Sequence, residues 1–271
     1  MPPLYKINLR RNVGNRSDSR NIYYLTEGTV SEMNFFDALF NFTNYFNNKG
    51  VNLIKCEKTG NDEGVSNFNG LIKLAKKYIE SSKDFKIGYD KVLIVFDLDT
   101  YINNLQEVID LIECNKDNII FGYTNPSFEV LILMCLEEGS LSLLKEYERN
   151  AIIQNEFVGR ERYIYYLIKQ KYGFDSKNHS EDFLKVAKKF NNAINQNVNI
   201  YIDRAISEIT CNVHYVLESI KNNNIDEIEY FSCNYTNLEW ISNFDRLDKF
   251  WSVYKLKEII FFKKYTDFEK F

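Results

Sequence analysis

The chain predicts an α/β protein: a parallel sheet flanked by helices, then a helical part and a short aromatic-rich tail. Three observations carry that expectation. Short apolar runs alternate with amphipathic helix patterns up to residue 140, and that order implies parallel strands with helices on both faces. One apolar run ends in Thr26-Glu27-Gly28, and another, Leu93 to Thr100 (LIVFDLDT), ends in two aspartates. Ligands bind outside the carboxyl ends of strands in such sheets. Both acidic ends are therefore expected to face one crevice.

The elements follow in order. Ile22 to Leu25 reads as the first strand, after a basic lead-in over residues 1–20. A helix starts near Thr29 or Ser31, either of which suits a cap. Phe35, Leu39, Phe42 and Phe46 give it one apolar stripe, and Asn47-Asn48-Lys49-Gly50 is expected to end it. Val51 to Cys56 is the second strand, and the loop 58–64 is too polar to be packed. Phe68, Leu71, Ile72, Ala75, Tyr78 and Ile79 mark the next helix, followed by the strand Val92 to Phe96. Leu105, Val108, Ile109 and Ile112 mark a third helix, and Asn118 to Tyr123 a fourth strand. Asn125-Pro126 then opens a helix, with Pro suited to its first turn.

Beyond residue 140 the strand signals fade. Segments 140–149, 158–172, 180–195 and 201–221 read mostly as helices. The expected organisation is thus a basic segment 1–20, an α/β domain 21–140, a helical part 141–221 and an aromatic-rich extension 222–271 holding Trp240 and Trp251.

With 271 residues the chain is long enough to bury a substantial core. Its five cysteines show no CxxC spacing, and the odd number argues against a disulfide framework. The two histidines, His179 and His214, lie far apart and away from cysteine, which argues against zinc. No apolar run approaches a membrane span or a leader peptide, so a soluble cytoplasmic protein is expected.

The formal charge of −4 announces no nucleic-acid partner, so the local distribution has to decide. Arg10, Arg11, Arg16 and Arg20 crowd the N-terminal segment. Arg160, Arg162, Lys169, Lys171 and Lys177 form a second basic region, interleaved with Tyr163, Tyr165, Tyr166 and Tyr172. Both regions read either as solvated surface or as a phosphate-binding rim around the crevice.

Asp97 and Asp99 are the strongest candidate pair. Residues i and i+2 of a strand point the same way, and paired carboxylates are costly unless a cation compensates them. Mg²⁺ suits such a pair, with water and phosphate completing its shell. Glu27 supplies a third carboxylate; alone, it reads as well as an acid suited to a helix N-terminus. Asn125 closes the fourth strand and Glu129 falls in the first turn after it. Glu129 is open to two readings, a fourth ligand or an acceptor behind the ligands, and a plain capped helix explains it nearly as well.

Together, IYYLTEGTVSEMNFF at 22–36, VLIVFDLDT at 92–100 and TNPSFEVLIL at 124–133 resemble the RloB and AbiLii group of Toprim-like, OLD-related phage-defence nucleases. The usual forms in that group are EGxxTExxYF, FDxDx and SNPxFExWLLxHF. Tyr172 to Lys177 is similar to the group's short Lys-bearing turn, and ITCNVHYVL at 209–217 to its closing Thr-x-Val-His segment. The resemblance covers residues 6–221. Ser31 stands where Thr is usual, Leu131 where an aromatic is common and Cys135 where His is common.

The resemblance implies a Toprim-like fold and a metal-dependent endonuclease of bacterial antiphage defence, acting on RNA such as tRNA, or on DNA. It implies Mg²⁺ or Mn²⁺ held by Glu27, Asp97 and Asp99; either Glu27 acts as general base or a metal-bound hydroxide does without one. Lys177 is the candidate to neutralise the pentavalent phosphate, and Glu32 and Asn125 are expected to support the ligands from behind. Partners so implied are nucleic acid and an ABC- or SMC-type ATPase, with a homo-oligomer also open. Two other readings compete. A DxD phosphatase would want Thr or Val two residues after its second Asp, where this chain has Tyr101. A non-catalytic sensor module would bind no divalent metal.

Overall fold

The structure is a computed structural model that describes residues 19–46, 50–58, 60–177 and 182–232. β1 (Arg20–Thr26) leads into α1 (Ser31–Phe42) and the edge strand β2 (Val51–Lys55). α2 (Phe68–Ser81) is capped by Asn67, whose side chain accepts from Gly70 N. Then come β3 (Lys91–Asp97), α3 (Leu105–Asn115) and β4 (Ile119–Asn125). The second half holds α4 (Glu129–Leu136), α5 (Glu146–Ile153), β5 (Phe157–Val158), β6 (Glu161–Arg162) and α6 (Tyr163–Tyr172). It ends with α7 (Asp182–Lys188), α8 (Phe190–Ile194), β7 (Thr210–Cys211) and α9 (Val213–Asn222).

The sheet order is β2-β1-β3-β4-β7, with β7 antiparallel to β4 and the other pairings parallel. This is the α/β architecture expected, a mostly parallel sheet between helices. Strand order reverses between β1 and β3, because β2 lies on one side of β1 and β3 on the other. Period-2 alternation divides the apolar residues between two faces. Ile22, Tyr24, Leu93 and Val95 join Phe35, Phe36 and Leu39 of α1 in one core. On the α2 side Phe68 stacks on Phe96 with centroids 4.2 Å apart, and Tyr23 meets Tyr78.

α4 runs through the α1-side core and is apolar on every face, as a fully enclosed helix must be. Residues beyond 140 up to Tyr230 belong to the same compact unit as the sheet. Tyr230 itself is buried, and its hydroxyl accepts from Phe121 N.

Several elements depart from expectation. α1 ends at Phe42, where Thr43 Oγ1 donates back to the Leu39 carbonyl. The buried stripe is Phe35, Phe36 and Leu39, while Phe42 is half exposed. Pro126 lies before α4 rather than in its first turn, and the Asn125–Pro126 bond is cis. The segment 158–172 is a two-stranded hairpin followed by a helix, and Thr210-Cys211 is a strand inside a stretch expected to be helical. Among the described residues no helix is long and apolar enough to cross a membrane. Arg10, Arg11, Arg16 and most of the expected extension lie outside the described residues.

Candidate functional site

The order reversal places the carboxyl ends of β1 and β3 side by side at a switch point, where the loops leaving them diverge. Glu27 follows β1 and Asp97 ends β3. Glu27 N donates to the Val95 carbonyl, and Asp97 N donates to Glu27 Oε2 at 3.1 Å. Thr124, next to Asp97 across the β3–β4 ladder, donates its hydroxyl to Asp97 Oδ1 at 2.7 Å. The two carboxylates are therefore aimed by the sheet itself.

Glu32 and Glu129 close in from the helices and are both buried. Glu32 folds back so that Gly28 N donates to its Oε1 at 3.0 Å. Any Cβ at residue 28 would stand 2.1 Å from Glu32 Oε2, so the close approach requires glycine here. Glu129, at the start of the apolar α4, is surrounded by hydroxyls. Ser127 Oγ donates to Oε2 at 2.8 Å, and Ser176 Oγ to Oε1 at 3.0 Å. Ser31 Oγ lies 3.2 Å from Oε1 and 2.9 Å from the Ser176 carbonyl, so its single proton serves one at a time. Serine at 31 thus keeps the hydroxyl that the family's threonine would offer.

Crowded carboxylates in a dry site resist ionisation. Burial pushes Glu27 up to about 7, with Glu32 and Asp99 adding repulsion. Burial also pushes Glu32 up to about 7, aided by Glu129. Asp97 retains some exposed area yet is enclosed by protein; that enclosure, then Glu32 and Glu129, raises its pKa well above the usual range. Lys58 faces this group. Its Nζ donates to the Val65 carbonyl at 2.6 Å and the Glu27 carbonyl at 3.4 Å. Burial lowers the pKa of Lys58, and Glu32 and Glu27 partly restore it.

Asp99 belongs to a different environment. β3 ends at Asp97 and the chain bends at Leu98, so the two-residue period that would pair the aspartates no longer applies. Asp99 Oδ2 instead makes an ion pair with Arg162 Nη2 at 2.7 Å and accepts from Asn155 Nδ2 at 3.4 Å. Arg162, expected on a phosphate-binding rim, is bound to this carboxylate. Among the described residues no three carboxylate, histidine or cysteine side chains stand at ligand spacing around one point. The side-chain partners explain this: Asp99 is drawn to Arg162, Glu32 to Gly28 and Glu129 to serines.

The other candidates divide by position. Lys177 is exposed on the turn that carries Ser176, with Nζ 4.4 Å over the Tyr165 ring. Tyr165 in turn stands against Glu129 and Asp97, whose charges add to burial in raising its pKa. Arg160 is exposed at the turn of the β5–β6 hairpin. Arg20 does not reach the acidic end. It begins β1, buried, with its guanidinium 4.9 Å over Tyr89. Asn125 donates to the Ala205 carbonyl at 2.7 Å, tying β4 to the turn there rather than to a carboxylate. Lys58 was hidden by its polar loop; its place just after the second strand, on the same sheet edge as Glu27, is the signal that points to it. A cavity of about 530 Å³ lies apart, lined by Arg204, Glu208 and His214 and by none of the clustered carboxylates.

The fold and site define a mostly parallel α/β protein with buried carboxylates gathered at a switch point. A family model for RloB-like proteins matches residues 22–222, and the chain belongs to that family. No curated protein sequence and no solved structure matches it.

Proposed function

We propose that the chain is a Toprim-type nuclease that hydrolyses phosphodiester bonds of RNA or DNA with Mg²⁺ or Mn²⁺, acting in antiphage defence. The observation that carries this reading is the crowding of four carboxylates, Glu27, Glu32, Asp97 and Glu129, with Lys58 as the cation facing them, at the edge where an α/β sheet receives ligands. The donors are hard oxygens, with neither histidine nor cysteine among them, and that chemistry fits Mg²⁺ or Mn²⁺. Glu27 and Asp97 would hold the ion, joined by Asp99 as the family resemblance implies. When bound, such an ion stabilises charge on the phosphoryl oxygens and lowers the pKa of an attacking water.

The chain's own residues do the rest. Glu27 Oε2 is held by the Asp97 N–H, leaving Oε1 to take a proton from water. Thr124 fixes one Asp97 oxygen, and the serines hold Glu129 behind the crevice so that its charge adds to the cation-attracting field. Lys58, whose Nζ reaches the Glu27 carbonyl, and Lys177, on the turn that carries Ser176, are the candidates to offset negative charge on the phosphate.

The test is incubation of purified protein, with Mg²⁺ or Mn²⁺, with plasmid DNA, single-stranded DNA and total tRNA. Cleavage by the wild type and none by Asp97→Asn supports the reading. Equal metal-dependent cleavage by both would remove Asp97 from the site. A non-catalytic module would show no melting shift with Mn²⁺.

A further inference from the structure

Among the described residues, four of the seven exposed large apolar side chains lie on α5, the β5–β6 hairpin and α6; the other three are Phe42, Ile87 and Leu143. Tyr147 on α5 and Phe157 on β5 are 60% and 63% exposed, and Val158 and Tyr166 are exposed beside them. α6 contacts both α5 and β5, which brings these side chains onto neighbouring elements. The Tyr163 ring lies 6.4 Å from that of Tyr166. Charges of both signs are interleaved: Arg160 is exposed at the hairpin turn and Lys145 Nζ stands 5.8 Å over the Tyr147 ring, while Glu146 and Glu156 are exposed next to Tyr147 and Phe157.

This region is rooted at the acidic crevice. The hairpin pairs Phe157 with Arg162 and Val158 with Glu161 around a two-residue loop whose Gly159 has φ +65. Its last residue, Arg162, is the partner of Asp99. Asn155, in the left-handed region at φ 51, also donates to Asp99. Its Oδ1 is buried and has no hydrogen-bond partner among the described residues, an acceptor that the fold leaves unsatisfied. A hairpin two pairs long has no core for Phe157 to complete, so the outward ring has no evident folding role.

We infer that the 157–162 hairpin, with Tyr147 and Tyr166, is a stacking platform that takes an unpaired nucleic-acid strand and leads it to the acidic crevice. The substrate class rests on the nuclease reading above. Aromatic faces beside cations suit unpaired bases, which offer their own faces for stacking while Lys and Arg follow the phosphates. In a duplex those faces are already covered.

The test measures binding without catalysis. Fluorescent oligonucleotides, RNA and DNA, single-stranded and as duplexes of the same sequence, are titrated with the full chain in EDTA and followed by anisotropy. Single strands should bind more tightly than duplexes. Phe157→Ala should weaken single-strand binding by roughly 5- to 150-fold, with Phe157→Tyr restoring it. Arg160→Ala should reduce the salt dependence. Phe42→Ala, an exposed aromatic at the end of α1, should change nothing. The inference is overturned if no oligonucleotide binds, if Phe157→Ala binds like wild type, or if duplexes bind as well as single strands. It is also overturned if light scattering shows that Phe157→Ala converts an oligomer to a monomer, since a second copy would then cover the patch. Cleavage is scored separately: Phe157-dependent binding without metal-dependent cleavage sinks the nuclease reading alone. Cleavage with Phe157-independent binding sinks the platform alone.

Discussion

Asp97 and Asp99 are two residues apart and occupy opposite electrostatic regimes. Asp97, at the last position of β3, sits among like charges with a neutral hydroxyl and its pKa pushed up. Asp99, just past the strand, is neutralised by Arg162 and held by Asn155. At the sheet edge the fold accumulates unbalanced charge; at the hairpin root it balances it. Apposed carboxylates reduce stability unless protons or a cation join them, whereas a paired carboxylate anchors structure. The edge is thus the place where a proton or a cation would stabilise the fold, and the root is where one element is tied to another.

The sharpest way to break this contrast is Asp97→Asn. Cleavage should fall to background, while the metal-free protein should melt at the same temperature or higher, because one like-charge repulsion is gone. Wild type should gain roughly 2.7 kcal/mol at a hundredfold excess of Mn²⁺ over its Kd. The variant should lose most of that gain. If Asp97 served only as a local hydrogen-bond acceptor, melting curves in EDTA and in Mn²⁺ would show equal metal shifts for both proteins.

Titration gives the next largest effect. Glu27 and Glu32 have folded pKa values of about 7 against an ordinary 4.5. Groups raised in this way give stability that is complete below the unfolded pKa and lost as pH rises through the folded one. His214 works in the opposite sense. Burial lowers it to about 4 from 6.5, so its stability is present above 6.5 and lost as pH falls toward 4. The two effects oppose each other between pH 4.5 and 6.5, and above that window the carboxylates act without opposition from His214. In EDTA, Tm should fall from pH 6.5 to 8, less steeply in Glu27→Gln. The stabilisation by Mn²⁺ should grow over the same range, because a metal binds the deprotonated carboxylates. A flat profile in EDTA would show that the edge carries no excess charge.

A smaller effect is expected from Gly28→Ala. The new Cβ would meet the Glu32 carboxyl, so Glu32 must leave the Gly28 N–H. Overpacking of this kind costs about 1–3 kcal/mol, and chemical denaturation measures it. No loss would mean that Glu32 moves freely and is not held for the site.

Much of the edge was legible because it obeys local rules. Strand runs ending in Glu27 and Asp97, the Gly28 turn and Glu129 after the fourth strand all follow from period and spacing. What was not legible depends on partners distant in sequence. Asn155 is 56 residues from Asp99, and nothing local announces that Arg162 closes on the same carboxylate. The two-residue strands β5, β6 and β7 are too short to show a period. Asn125 reads as a strand-end amide, and only the fold reveals that it serves the turn at Ala205. The i, i+2 argument reaches no further than the strand: it holds on β3, and β3 stops at Asp97.

The smallest effect is the most discriminating for Asp99. Asp99→Asn and Arg162→Met, alone and together, form a double-mutant cycle on the ion pair. Asp99 is nearly enclosed and Arg162 about one-third exposed, so the coupling in EDTA should lie near the upper end for accessible pairs, about 1 kcal/mol. The informative measurement is the same cycle in saturating Mn²⁺. An ion bound to Asp99 would share its carboxylate charge with the guanidinium and repel it, weakening the pair. If Asp99 joins Glu27 and Asp97 as the family resemblance implies, the coupling should shrink toward zero and Arg162 should be freed beside the hairpin. A coupling unchanged by Mn²⁺ would keep Asp99 on Arg162 as a structural anchor, leaving Glu27 and Asp97 to carry the ion with the carboxylates behind them.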